Sequence, residues 1–134
     1  MSETTLHILV VDDNQTAAMA AAMLLRRDGH DVDVRHDGGA AIEAMADTTY
    51  DLVLTDLRME PVDGLAVVRA ARGGSPPVDA IVMTAYGSVD AAVEAMRHGA
   101  IDFMTKPVTA DQLRQRVRDY RQSPARGIAL VGES

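Results

Sequence analysis

The chain has 134 residues, 47% of them hydrophobic, with 3% aromatic residues, no cysteine and no tryptophan. That is one domain's worth of chain with an aliphatic core, and it excludes a disulfide framework and thiolate chemistry. A formal charge of −7 argues against gripping DNA or an anionic membrane unaided. No apolar run approaches the ~18–20 residues that span a bilayer, and "MSETTLH" lacks a signal-peptide layout, so the cytoplasm is the expected compartment.

In chain order, short aliphatic runs alternate with longer stretches of helical period. Strands are expected at Leu6–Val11, Asp31–Arg35, Asp51–Thr55, Ala80–Thr84 and Ile101–Thr105. The first, third and fourth are near-continuous apolar runs, the pattern of strands buried on both faces of a parallel sheet. Asn14 caps the first helix, "TAAMAAAMLLRRD", and Gly29 stops it. Asp37 caps the second, where Ile42, Met45 and Ala46 share a face, and Asp63 caps the third. Ser88 precedes the fourth, in which Val89, Ala92, Val93 and Met96 form an i, i+3, i+4, i+7 stripe that reads as core. Thr109 and Gln112 form a capping box for the fifth, which turns Leu113, Val117 and Tyr120 inward. Five strand–helix units in succession predict a doubly wound parallel α/β fold. After Tyr120 the composition shifts, and "RQSPARGIALVGES" reads as a linker.

Strands running in one direction gather their carboxyl ends on one edge. Strand one brings Asp12 and Asp13 there, strand three Asp56, strand four Thr84, and strand five Lys106 followed by Pro107. Three carboxylates packed together repel, and a hard dication such as Mg²⁺ suits them best, since no His or Cys selects a softer metal. Lys106 is then a partner for Asp56 or for an anion attached to it, and Thr84 a short donor toward such an anion. Carboxylate, dication, ammonium and hydroxyl around one point make a phosphoryl site, with an Asp able to act as nucleophile. No Walker loop, Gly-rich nucleotide fingerprint or catalytic His supports ATP binding.

Each feature has a plainer reading. An Asp pair after a strand is usually a turn with a helix cap, and a Lys before Pro a solvated loop charge. The Met residues read as core, and the arginines at 114, 116, 118, 121 and 126 as one solvated helix face. Convergence of four strands on one edge is what favours a site.

The segments "ILVVDDN", "DLVLTDLRMEPVDG", "VMTAYG" and "AIDFMTKP" together resemble the receiver domain of two-component response regulators, over about residues 6–121. The resemblance implies a flavodoxin-like five-stranded sheet in the order 2-1-3-4-5 with helices on both faces. It implies that Asp56 accepts a phosphoryl group from a sensor histidine kinase. Mg²⁺, or Mn²⁺ in its place, would be held by Asp13 and Asp56 with the backbone carbonyl of Arg58, and by Asp12 through water. Thr84, Lys106 and the backbone of Ala85 would hold the phosphoryl oxygens. Thr84 and Phe103 would form the switch, Arg58 and Tyr86 would tune phosphate lifetime, and the Lys106–Pro107 bond would be cis. The only chemistry implied beyond switching is weak self-phosphorylation from small donors and self-dephosphorylation.

Where the family has "MPxxDG" after the acceptor, this chain has "MEPVDG", with Glu60 in the usual Pro position and Pro61 one place late. The wording "DLRM" and "MTAYGSVDAAVEAMRHGAIDFMTKP" is similar to receivers of regulators that activate sigma-54 promoters, and "IALVGES" to the opening of the ATPase domain that follows there. A linker and the start of that domain are therefore expected at 122–134. The implied partners are the kinase, output ATPase and DNA-binding domains, and a second copy docked through the last two helices. A Mg²⁺-dependent phosphatase with an Asp nucleophile is one rival, although such enzymes carry a second Asp where this chain has Arg58. A receiver-like interaction module that is never phosphorylated is the other. A flavin-binding protein lacks its phosphate loop here.

Overall fold

A computed structural model describes residues 5–85 and 89–123. The expectations for Tyr86, for Ser88 as a cap, for Arg126 and for the tail "IALVGES" lie outside them. Ten elements alternate: β1 (His7–Val11), α1 (Gln15–Arg27), β2 (Asp31–Arg35), α2 (Gly38–Asp47), β3 (Leu52–Asp56), α3 (Gly64–Arg72), β4 (Asp79–Thr84), α4 (Val89–Arg97), β5 (Asp102–Thr105) and α5 (Ala110–Gln122). The strands form one parallel sheet in the order β2-β1-β3-β4-β5, the flavodoxin-like arrangement expected.

Alternation along each strand builds two cores. Ile8, Val10, Leu52, Leu54, Ile81 and Met83 face α1 and α5, where Ala18, Ala22, Leu25, Leu113, Val117 and Tyr120 meet them. Leu9, Val11, Val53 and Val82 face α2, α3 and α4, against Ala41, Ala44, Val67, Val68, Ala71 and Ala95. Central strands apolar on both sides are the cause of the unbroken hydrophobic runs in the sequence.

The helix ends follow the capping chemistry. The side chains of Asn14, Asp37 and Asp63 accept from the N–H groups of Ala17, Ala40 and Ala66. Thr109 and Gln112 form both halves of a capping box. Gly29, at φ +98°, ends α1 in the left-handed region that glycine enters without a Cβ clash.

Three sequence expectations shift. The α4 stripe is core only at Ala92: Val89, Val93 and Met96 are 63%, 47% and 40% exposed, and Ala95, outside the stripe, is buried beside Ala92 instead. α4 lies over β4 and β5, and small side chains at i and i+3 allow it close approach while the bulkier flank stays in solvent. Among the methionines, Met59, Met83 and Met104 are buried, whereas Met19 and Met23 of α1 are exposed along with Met96. The arginines of α5 do not share one solvated face. Arg114 reaches back to Asp28 after α1, while Arg116 bonds Asp102 and the Phe103 carbonyl of β5. Ile42, Met45 and Ala46 do share a face, which lines the cleft between α2 and α3.

Candidate functional site

Register fixes the geometry. Val11 lies beside Thr55, Asp56 beside Met83, and Thr84 beside Thr105, so Asp12, Asp56, Thr84 and Lys106 fall along one line across the sheet's carboxyl edge. Asp56 is the last residue of β3 and is buried, as are Asp12 and Thr84. Asp13 is exposed at the rim.

Carboxylate oxygens of Asp12, Asp13 and Asp56 all lie within 4.8 Å of one another. Lys106 Nζ stands 3.1 Å from Asp12 Oδ2 and 3.1 Å from Asp56 Oδ2. The ammonium therefore neutralises part of the carboxylate repulsion, as the partner of Asp56 that the sequence suggests and of Asp12 as well. The oxygen-only donor set fits a hard cation such as Mg²⁺, with Asp13 the carboxylate not engaged by Lys106. Lys106 donates its backbone N–H to the Thr84 carbonyl at 2.7 Å, which ties β5 to β4 where the site forms. The Lys106–Pro107 peptide bond is cis, as the resemblance implied, and so is Glu60–Pro61.

Burial raises the Asp56 carboxyl above the ordinary carboxylate range. Lys106 opposes that shift, the charge on Asp12 adds to it, and the Arg58 N–H, 3.3 Å from Asp56 Oδ1, opposes it. For Lys106, burial works to lower the ammonium, but its bonds to Asp56 and Asp12 outweigh burial and hold it above the ordinary lysine value.

The loop after Asp56 is anchored by Gly64. A Cβ there would collide with the Asp56 carbonyl oxygen and stand 2.6 Å from Leu57 Cα, while Gly64 N–H donates to the Leu57 carbonyl at 2.9 Å. Glu60 and Arg58 are both exposed in this loop, with Asp13 and Asp63 lining the same cavity. Ala85 is exposed beside Lys106. Phe103, on the edge strand β5, is 38% exposed and lines a cavity with Arg116 and Gln112.

Two contacts were not anticipated. Asn14, expected only as a helix cap, also donates its backbone N–H to Asp12 Oδ1 at 3.0 Å. His36, one residue past β2, sets Nδ1 3.2 Å from the Asp12 carbonyl oxygen. Its place at a strand's carboxyl end was the available signal.

A family model for the response regulator receiver domain matches residues 8–118. The chain is 34% identical over 145 residues to the transcriptional regulatory protein ZraR of Klebsiella oxytoca, covering 100% of this chain and 33% of that protein. It is 41% identical over 110 residues to the luminescence regulatory protein LuxO of Vibrio campbellii, covering 82% of this chain and 24% of the relative. The crystal structure of the signal receiver domain of a Luxo repressor protein from Vibrio parahaemolyticus superposes with a TM-score of 0.83 at 27% identity, covering 98% of this chain and 100% of that one. The chain thus spans a third or less of the length of these curated relatives. Among the described residues, no helix is long and apolar enough to cross a membrane.

Proposed function

The chain belongs to the response regulator receiver domain family, a family of signalling switches, and from that premise we propose that Asp56 is its phosphoacceptor, charged by a sensor histidine kinase. The observation that carries this reading is Lys106 Nζ held at 3.1 Å from both Asp12 and Asp56 within the three-carboxylate cluster. An Asp56 oxygen forms the new bond to phosphorus, and the electron pair of the phosphohistidine P–N bond returns to the donor imidazole. Lys106 neutralises the oxygens of the arriving group, and the Thr84 hydroxyl is the short donor beside them. Asp13, Asp56 and the Arg58 carbonyl would hold Mg²⁺ or Mn²⁺, with Asp12 acting through water; the ion would supply charge neutralisation for the phosphoryl oxygens. Small donors such as acetyl phosphate would serve slowly, and hydrolysis would return Asp56 and inorganic phosphate. Arg58 and Tyr86 would govern access of that water.

An apolar cavity opens beside the acceptor, where a donor would approach. A cavity of about 620 Å³ between α1 and the start of α5 is lined by Ala17, Ala21, Leu24, Val108 and Leu113 and reaches Asp12 and Lys106. For the output, the relatives' transcriptional roles and the tail "IALVGES" support a receiver at residues 6–121 that controls ATPase and DNA-binding domains at sigma-54 promoters. The face with Val89, Val93, Met96 and Phe103, on α4 and β5, would carry the signal and a homodimer contact that includes α5. The composition supports a cytoplasmic domain that contacts neither nucleic acid nor membrane.

Incubation with acetyl phosphate, with and without Mg²⁺, followed by intact mass measurement, tests the acceptor. Wild type is expected to gain one phosphoryl mass only with Mg²⁺, and Asp56→Ala to gain none. If wild type gains nothing and beryllofluoride with Mg²⁺ leaves its spectrum unchanged, the unphosphorylated interaction module is correct instead.

A further inference from the structure

We propose that His36 is a positioning residue for the acidic cluster, locking the peptide unit that joins Asp12 to Asp13; this rests on the reading of that cluster as a cation site. The two carboxylates leave adjacent residues, so the orientation of the peptide plane between them sets where the second points relative to the first. That plane's carbonyl oxygen lies 3.2 Å from His36 Nδ1. A carbonyl oxygen only accepts, so Nδ1 carries the proton in this contact.

Asp12 is held at each of its other polar atoms as well. Its N–H donates to the Arg35 carbonyl at 3.2 Å, Oδ1 accepts from Asn14 N–H at 3.0 Å, and Oδ2 accepts from Lys106 at 3.1 Å. Arg35 ends β2 and His36 follows it, so the backbone of one residue and the side chain of the next grip Asp12 from the neighbouring strand. Asp13 is different. It is exposed, it is not engaged by Lys106, and its direction depends on the peptide plane before it. Loss of the His36 contact frees rotation of that plane while leaving the buried Asp12 carboxylate on Lys106. The cluster would keep Asp12 and Asp56 and lose the alignment of the carboxylate best placed to take a cation. Outer partners that orient ligands in this way contribute roughly 10–100-fold to metal affinity. A single backbone tie belongs at the lower end.

The test is Mg²⁺ titration of the 134-residue chain, followed by calorimetry and by the Asp13 amide resonance, for wild type, His36→Ala, His36→Asn and His36→Gln. The asparagine side-chain nitrogen stands where Nδ1 does, whereas the glutamine nitrogen reaches past it. Expected are roughly tenfold weaker Mg²⁺ binding in H36A, near wild-type binding in H36N, no rescue in H36Q, and metal-free melting temperatures within a few degrees of each other. In metal-free wild type the His36 ring should show a protonated Nδ1 in long-range ¹⁵N spectra. Unaltered Mg²⁺ affinity in H36A, or equal loss in H36A and H36N, overturns the positioning role alone. A wild type that binds no Mg²⁺ overturns the cation reading of the cluster and this inference with it.

Discussion

Asp56 carries the electrostatic tension of the site, since burial and the neighbouring Asp12 charge both work against its ionised form. A carboxyl raised in the folded state stabilises the fold below its unfolded value and loses that contribution as pH rises through the folded one. The metal-free protein is therefore penalised at neutral pH. Asp56→Asn removes that charge at nearly constant volume, and at pH 7.5 without metal it should melt a few degrees higher than wild type, the gain vanishing near pH 4. Mg²⁺ relieves the same penalty, so it should raise the wild-type melting temperature at pH 7.5 and do so less as the medium is acidified. Circular dichroism melts across pH check both, and an Asn variant that melts lower throughout would refute the tension. At Asp33 the shift runs the other way, through its partner Tyr50. Tyr50 is pushed up to about 12 by burial and by its 2.6 Å hydrogen bond to Asp33, which in return holds Asp33 below the ordinary carboxylate range. A depressed carboxyl contributes stability above its unfolded value and loses it as pH falls through the folded one. Tyr50→Phe should therefore move the acid-unfolding midpoint to higher pH, read by circular dichroism.

Elements, unlike single residues, were legible in the sequence wherever one local cause decided them. The unbroken apolar runs of β1, β3 and β4 required burial on both faces, and the caps at Asn14, Asp37, Asp63 and Thr109 marked helix starts that the structure keeps. The gathering of residues 12, 13, 56, 84 and 106 at one edge came with them, because parallel strands leave their carboxyl ends no other place to go. What periodicity could not tell was which neighbour each face would meet. In α4 it grouped Ala92, which the sheet covers, with Val89, Val93 and Met96, which stay exposed, and it left out Ala95. Arg114 and Arg116 went astray likewise, since their partners are contributed by residues after α1 and in β5. His36 carries no such mark, because it follows an edge strand, β2, of alternating, polar sequence. The α4 assignment is checkable by urea unfolding. Val93→Lys should change stability by less than about 0.5 kcal/mol, and Ala92→Leu should cost about 1–3 kcal/mol by overpacking against the sheet.

At the scale of the whole molecule, the question is how an event at Asp56 reaches a surface on the far side of β5. Lys106 and Thr84 are joined through the 2.7 Å backbone bond, and Thr84 pairs in register with Thr105, two residues along β5 from Phe103. Arg116 of α5 holds the Phe103 carbonyl at 2.9 Å and Asp102 at 2.8 Å. Any displacement of Thr84 or Lys106 toward a phosphoryl group thus pulls on a strand to which α5 is bonded and over which α4 lies. A ligand shifts such an arrangement only as far as it prefers one state over the other. Beryllofluoride with Mg²⁺, a phosphoryl mimic, should therefore move the amide resonances of Phe103 and of α4 together with those of Asp56 and Lys106 in ¹⁵N spectra. Phe103→Ala removes the large β5 side chain that lines a cavity with Gln112 and Arg116, while leaving every group around Asp56 in place. It should retain the shifts at Asp56 and Lys106 and lose most of those in α4. If α4 in the wild type stays still while Asp56 responds, the exposed apolar side chains at 89, 93 and 96 belong to a constitutive contact and not to a switched one.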